Sequence, residues 1–131
     1  MGRLIRRLLL TGLGIAVVLA VAIQVVPYGR PGPNPPVRVE PRWDSPSTRE
    51  LAVRACFDCH SNETKYPWYS YVAPVSWLVA HDIEEGRSKL NFSEWDMPQR
   101  EAGEAAEEVQ KGKMPLPIYL SHRLMENHAK L

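Results

Sequence analysis

The stretch of sequence that decides the fold is Cys56-Phe57-Asp58-Cys59-His60. It contains the only two cysteines of the chain, with two residues between them and a histidine directly after the second. This C-x-x-C-H spacing is typical of c-type haem attachment. The two thiols add to the vinyl groups of a haem, and the turn between them brings the histidine beneath the iron. The motif therefore predicts one covalent haem c per chain, held by Cys56 and Cys59, with His60 as an axial ligand.

Two other functions compete for the cysteine pair. A redox-active dithiol uses the same spacing, but it prefers a strand–helix–strand setting that the flanking sequence does not offer. A structural zinc ion usually takes four Cys or His ligands, commonly in two pairs. The chain has no second C-x-x-C, and His122 and His128, which are separated by five residues, lie near its end. The sequence favours haem over both alternatives.

Length and charge limit the remaining possibilities. The chain has 131 residues and a net charge of +1, which suits one small domain with accessory segments. No basic stripe or acidic tail is present, so nothing in the sequence indicates a nucleic-acid partner. A domain of this size would gain much of its core from a large apolar prosthetic group.

The N-terminal residues 1–26 predict a membrane anchor. Residues 8–26 carry no charge and would span roughly 28 Å as a helix, close to the thickness of a hydrocarbon core. Arg3, Arg6 and Arg7 precede this run, so the positive-inside rule keeps the N-terminus in the cytoplasm. We therefore expect a single-pass protein of the bacterial inner membrane, with its haem domain in the periplasm or an equivalent space.

A cleaved signal peptide is the alternative for the same segment. Ala20-Val21-Ala22 has the small-x-small form of a cleavage site, although the apolar run continues to Val26. Both alternatives deliver the domain to the outer side of the membrane, where haem is attached to C-x-x-C-H motifs. The export segment and the motif therefore support each other.

A proline-rich linker follows at residues 27–46, which hold seven of the twelve prolines. Such a composition forbids a helix and favours an extended, semi-rigid spacer. The sequence leaves open whether the whole linker is free or whether Val37 to Trp43 packs along the domain surface.

Residues 47–131 are expected to form an all-α, cytochrome c-like domain with one haem. Apolar periodicity and capping residues place its helices. The predicted helices run from Ser47 or Thr48 to Ala55, from Pro74 to about Gly86, and from Pro98 to Lys111, where Gly112 stops the last one.

A second axial ligand is predicted at Met114. It precedes Pro115, which holds it extended, in a stiff loop after the third helix. A thioether opposite histidine raises the reduction potential of a haem. Met97, which also precedes a proline, is the main rival, and His81 is a weaker one. The ordinary alternative is that Met114 fills a gap in the core.

With these residues in hand, the chain resembles small membrane-anchored bacterial proteins that carry a haem-binding domain related to cytochrome c. The resemblance covers about residues 47–120 and rests on Cys-Phe-Asp-Cys-His-Ser-Asn-Glu-Thr-Lys-Tyr-Pro-Trp-Tyr-Ser-Tyr, on Leu-Asn-Phe-Ser-Glu-Trp and on Lys-Met-Pro-Leu-Pro. It implies haem c on Cys56 and Cys59, with His60 and Met114 as axial ligands. Such proteins usually continue into a closing C-terminal helix, whereas Ser121 to Leu131 is short and polar here.

The expected function is single-electron transfer to a redox partner protein rather than catalysis. The alternative is a haem-based ligand sensor or weak peroxidase, which requires an open iron site. Thiol or metal-scaffold proteins form a third class, and they predict no covalent haem. No nucleophile–base pair, carboxylate pair or phosphate-binding glycine loop supports a hydrolase or transferase.

Overall fold

A computed structural model describes residues 2–120 of the chain. These residues form helices and loops without a named β-strand, which confirms the all-α prediction. The α-helices are α1 (Gly2–Ile23), α2 (Pro46–Ala55), α3 (Phe57–His60), α4 (Val75–Lys89), α5 (Ala105–Gln110) and α6 (Pro117–Leu120), with 3-10 turns at Trp68–Tyr71 and Ala102–Glu104.

The described residues divide into two compact units. The first contains residues 2–31 and 68–80, and the second contains residues 32–67 and 81–120. The first unit is built around α1, whose 22 residues rise roughly 33 Å. No residue of α1 is buried, and the helix is long and apolar enough to cross a membrane.

The second unit begins its helices at α2, whose N-cap lies two or three residues earlier than the predicted N-cap at Ser47 or Thr48. The N-cap is Ser45, whose side-chain oxygen accepts a hydrogen bond from the Thr48 amide at 3.1 Å. Pro46 occupies the first helical position, where its missing N–H and fixed φ cost nothing. The predicted caps, Ser47 and Thr48, therefore lie inside the first turn.

The predicted third helix is shorter than expected. Residues 98–101 are not helical, and regular α-helix starts only at Ala105. The Gln99 side chain explains this start, because it accepts from the Asn91 amide at 2.8 Å and donates to the Glu94 carbonyl at 2.8 Å. These bonds to the preceding loop compete with helix formation around Gln99.

Part of the proline-rich linker packs along the second unit. The Arg38 and Val39 amides donate to the Ser93 carbonyl at 2.8 and 3.2 Å, and the Trp95 amide donates to the Val39 carbonyl at 2.8 Å. Of the two arrangements that the sequence left open, the structure therefore shows the packed one for this segment.

An aromatic cluster forms the centre of the second unit. Phe57 is 2% exposed and stacks on Phe92, with ring centroids 5.5 Å apart. Phe92 also stacks on Trp95 at 5.9 Å, and Trp43 of the linker lies 5.3 Å from Phe92. Because Phe57 belongs to the C-x-x-C-H motif, this cluster attaches the motif to the core.

Candidate functional site

The C-x-x-C-H residues form a single helical turn. Cys56 ends α2 and begins α3, and its carbonyl accepts from the Cys59 and His60 amides at 3.2 and 2.9 Å. Residues three and four positions apart share one face of a helix. The two cysteines and His60 therefore lie on one face of the turn.

The two thiols are free and partly buried. Burial raises the pKa of the Cys56 thiol. Burial, followed by the negative charges of Asp58 and Asp82, raises the pKa of Cys59 to about 12. Reactive dithiols depend on a lowered thiol pKa, so these environments do not suit redox exchange. Among residues 2–120, no group of three His, Cys, Asp or Glu side chains could hold a metal ion.

The His60 ring is oriented by the backbone after α4. Its Nδ1 atom lies 3.0 Å from the Leu90 carbonyl oxygen. A carbonyl oxygen only accepts, so Nδ1–H must be the donor, and in the neutral ring Nε2 keeps its lone pair. Metal-binding histidines are oriented in the same way by a carbonyl on the other ring nitrogen. The Phe92 amide also donates to the His60 carbonyl at 2.8 Å.

Helix α4 crosses the motif in backbone contact at Gly86. A Cβ atom at this position would lie 2.6 Å from the Cys59 carbonyl oxygen, a separation that real structures do not tolerate. The helix end predicted near Gly86 lies three residues further on, since α4 continues to Lys89. Gly86 is required for close approach to the motif, as glycine often is where two backbones meet.

Arg87, the next residue of α4, holds the chain where it leaves the motif. Its Nε atom donates to the Ser61 carbonyl at 2.8 Å, and its Nη2 atom donates to Thr64 Oγ1 at 3.0 Å and to Asn34 Oδ1 at 3.2 Å. Ser61 is fully buried. Through these hydrogen bonds, the planar guanidinium of Arg87 connects α4 to the linker and to the residues that follow the C-x-x-C-H motif.

A buried polar network fixes the next residue, Asn62. Its amide N–H donates to Ser93 Oγ at 2.9 Å, and its side-chain oxygen accepts from Asn91 Nδ2 at 3.0 Å. Its Nδ2 donates to the Pro36 carbonyl at 2.9 Å and to Glu94 Oε1 at 3.0 Å. Buried polar groups satisfied in this way specify one arrangement of the chain. No sequence motif indicated this network.

Met114 follows a helix end of the Schellman type. The Gly112 amide donates to the Val109 carbonyl, and the Lys113 amide donates to the Glu108 carbonyl, both at 3.0 Å. Gly112 has a φ of 68°, which confirms it as the helix stop. Met114 itself is partly buried, and its amide donates to the Glu108 carbonyl at 3.2 Å. The loop position of Met114 is therefore fixed by the end of α5.

The segment after Met114 is joined to the helix that contacts Cys59. Tyr119 of α6 donates its hydroxyl proton to Asp82 Oδ2 at 2.6 Å. Asp82 lies one turn before Gly86, so both residues share one face of α4. The same face of α4 thus contacts the attachment motif at Gly86 and α6 one turn earlier, at Asp82.

The rival ligands Met97 and His81 have exposed side chains. Met97 is 48% exposed and lies in the loop after α4. The His81 side chain is 64% exposed, and its Nε2 lies 3.6 Å from Glu85 Oε2 on the helix surface. His122, His128 and the polar C-terminal segment lie outside the described residues.

The chain is similar to a known protein family. A family model described as a haem-binding domain matches residues 18–131, which is most of the chain. No curated protein and no solved structure matches this sequence.

Proposed function

Because the chain belongs to the haem-binding domain family, we propose that Cys56 and Cys59 hold one haem c through two thioether bonds. His60 and Met114 are the axial ligands in this proposal. The protein then transfers single electrons to a redox partner and is not a catalyst. When bound, the haem supplies the one-electron couple of its iron.

The observation that carries the proposal is the fixed orientation of His60 beside the two thiols. The Leu90 carbonyl orders the ring so that Nε2 is the free nitrogen. Cys59 and His60 follow Cys56 by three and four positions, a spacing that puts residues on one face of a helical turn. The residues present therefore fit a haem held by two sulfur atoms and one imidazole.

Each surrounding residue has a defined part in holding this arrangement. Phe57 attaches the motif to the aromatic core, and Gly86 admits α4 against the Cys59 backbone. Arg87 binds the Ser61 carbonyl and so fixes the chain after His60. These contacts hold the motif in one arrangement, and a rigid site would suit an electron carrier.

A methionine ligand on the iron together with His60 would favour electron transfer over ligand binding, since a soft thioether would fill the open coordination position and raise the reduction potential. Met114 is the better candidate, because it is partly buried and fixed by the end of α5, whereas Met97 is exposed. The sensor or peroxidase alternative needs this position to be open.

Helix α1 is proposed to anchor the domain in the bacterial inner membrane. It is apolar over a span-length segment, and Arg3, Arg6 and Arg7 lie at its N-terminal end. This charge distribution keeps the N-terminus in the cytoplasm and exports the haem domain to the periplasm. The mass of the mature protein separates this anchor from a signal peptide cleaved after Ala22.

The test is a haem stain of the full chain on a denaturing gel, after export in a host with cytochrome c maturation machinery. Wild type is expected to keep its haem, and the double variant with Cys56→Ala and Cys59→Ala is expected to lose it completely. Asp58→Asn is the matched control inside the motif, because it preserves both cysteines and His60. Absence of covalent haem in the wild type would overturn the proposal. Ready binding of carbon monoxide by covalent haem would favour the sensor or peroxidase instead.

A further inference from the structure

The end of α1 is hydrogen-bonded to a segment that lies far away in sequence. The Gln24 side-chain amide donates to the Ala73 carbonyl at 3.0 Å, and its oxygen accepts from the Ala73 amide at 3.0 Å. Both polar groups of the Gln24 side chain are therefore paired with one backbone residue. This pair of hydrogen bonds holds Ala73 beside the end of the apolar helix.

A second contact joins the same two segments. Gly29 has a φ of 76°, and a Cβ atom at this position would lie 2.8 Å from the Ser76 carbonyl oxygen. Glycine therefore allows the chain after α1 to lie directly against the first turn of α4. Arg30 donates to the Gln24 carbonyl at 2.8 Å. Arg30 is the first charged residue after the apolar run.

The segment held at this level carries an exposed apolar surface. Trp68 is 64% exposed, Tyr71 is 62% exposed and Leu78 is 44% exposed. The exposed apolar side chains, which we name the aromatic patch, are Trp68, Tyr71, Val72, Val75 and Leu78.

The composition of this segment matches the chemistry of a membrane surface. Residues 66–80 contain no charged side chain, and Lys65 and His81 flank the stretch. Tryptophan and tyrosine are enriched where the hydrocarbon core meets the headgroups, because their rings are apolar with a polar tip. An exposed charge-free patch at the end of a membrane-spanning helix suits that environment.

We propose that the aromatic patch lies in the outer headgroup region of the bilayer and forms a second membrane contact beside α1. The inference rests on the proposed anchoring by α1. The occupant of the patch is lipid, because the patch is continuous with the end of α1 through Gln24 and Gly29. Two attachments to the bilayer would restrict the tilt of this unit more than a single helix does.

Site-specific photocrosslinking of the full haem-loaded chain tests the proposal. Benzoylphenylalanine replaces Tyr71 or Leu78 in protein reconstituted into phosphatidylethanolamine–phosphatidylglycerol vesicles, and adducts are identified by mass spectrometry. The same probe at Leu13 within α1 reports the anchoring itself. The probe at Val109 is the matched control, because it is exposed and apolar but lies in a charged helix. Absorption spectra verify that each variant holds its haem in the wild-type state.

The expected result is lipid adducts at Tyr71 and Leu78 at a yield comparable with Leu13 and roughly tenfold above Val109. Lipid adducts at Leu13 but not at the patch would overturn this inference and leave the anchor intact. Adducts of the patch with the haem or with residues 121–131 would also overturn it, since another part of the protein would then cover the patch. No lipid adduct at Leu13 would reject the anchor and the inference together.

Discussion

The His60 ring is held by the Leu90 carbonyl, with Nδ1 and the oxygen 3.0 Å apart. The two residues lie on opposite sides of α4 in the sequence, and the contact of that helix at Gly86 brings them together. The carbonyl acts on the ring and not on any substrate, so Leu90 is a positioning residue. The predictions below test the site and the contacts that form it.

The Gly86→Ala variant should destabilise the domain and reduce haem attachment. The added methyl would lie 2.6 Å from the Cys59 carbonyl, so α4 must move away from the motif. Overpacking of this kind costs about 1 to 3 kcal/mol in the free energy of unfolding. Denaturant titration and haem yield measure the two effects. Gly103→Ala is the control, because nothing lies within 4 Å of a Cβ atom there. Equal behaviour of the two variants would contradict the close contact at Gly86.

The Met114→Ala variant should bind carbon monoxide and show a lower reduction potential than the wild type. With Met114 as the proposed ligand, removal of the thioether would open one coordination position and withdraw the group that raises the potential. Absorption spectra of the reduced protein with and without carbon monoxide, together with a redox titration, measure both changes. Met97→Ala should resemble the wild type, since that side chain is exposed. A change confined to Met97→Ala would reassign the ligand.

In the haem-free chain, Cys59 should react slowly with thiol reagents until the protein unfolds. Its pKa of about 12 leaves roughly 10³-fold less thiolate than an ordinary cysteine has. The measurement is the alkylation rate against pH in the Cys56→Ala background, folded and in denaturant. A folded-state rate that matches the denatured rate would contradict the buried environment.

The same pKa shift makes the haem-free chain less stable in alkali. The folded state keeps the Cys59 proton at pH values where the unfolded state has lost it. The contribution of the protonated Cys59 thiol to the free energy of unfolding is therefore complete below the unfolded pKa of about 9. It is lost as the pH rises towards the folded pKa of about 12. Cys59→Ser should flatten this part of the stability profile, measured by denaturant titration across the alkaline range.

The Glu40→Gln variant should lose stability at neutral pH but not in acid. The hydrogen bond from Arg49 lowers the pKa of Glu40 against the opposing effect of burial. The stabilisation from ionised Glu40 is present above the pKa of this carboxyl in the unfolded chain. It is lost as the pH falls through the pKa of the same group in the folded chain. The pair is partly exposed, so about 1 kcal/mol or less is expected. In the Arg49→Met background, Glu40→Gln should cost less, because only the hydrogen bond from Trp43 Nε1 to Glu40 Oε2 at 2.8 Å is then affected. An undiminished cost there would show that Arg49 is not the main partner of Glu40.

The local features of this protein were determined by the sequence itself. The spacing of Cys56, Cys59 and His60 puts all three on one helical turn, because helical geometry depends only on positions within the turn. The membrane-spanning character of α1 is equally local, since it depends on the length of the helix and its lack of charge. The helix stop at Gly112 is local too, since it depends on the positive φ that glycine readily adopts. These patterns were sufficient for the all-α fold and the candidate ligands.

Tertiary structure alone decided how the site is supported. The Leu90 carbonyl and the Cys59 backbone are main-chain groups, which have the same chemistry in every residue, so no sequence pattern marks their roles. Gly86 resembles a helix stop in the sequence, and only the packing of α4 on the motif shows that it permits contact. The pairing of Gln24 with Ala73 likewise joins groups 49 residues apart. Such contacts arise when the chain closes on itself, and local periodicity carries no information about them.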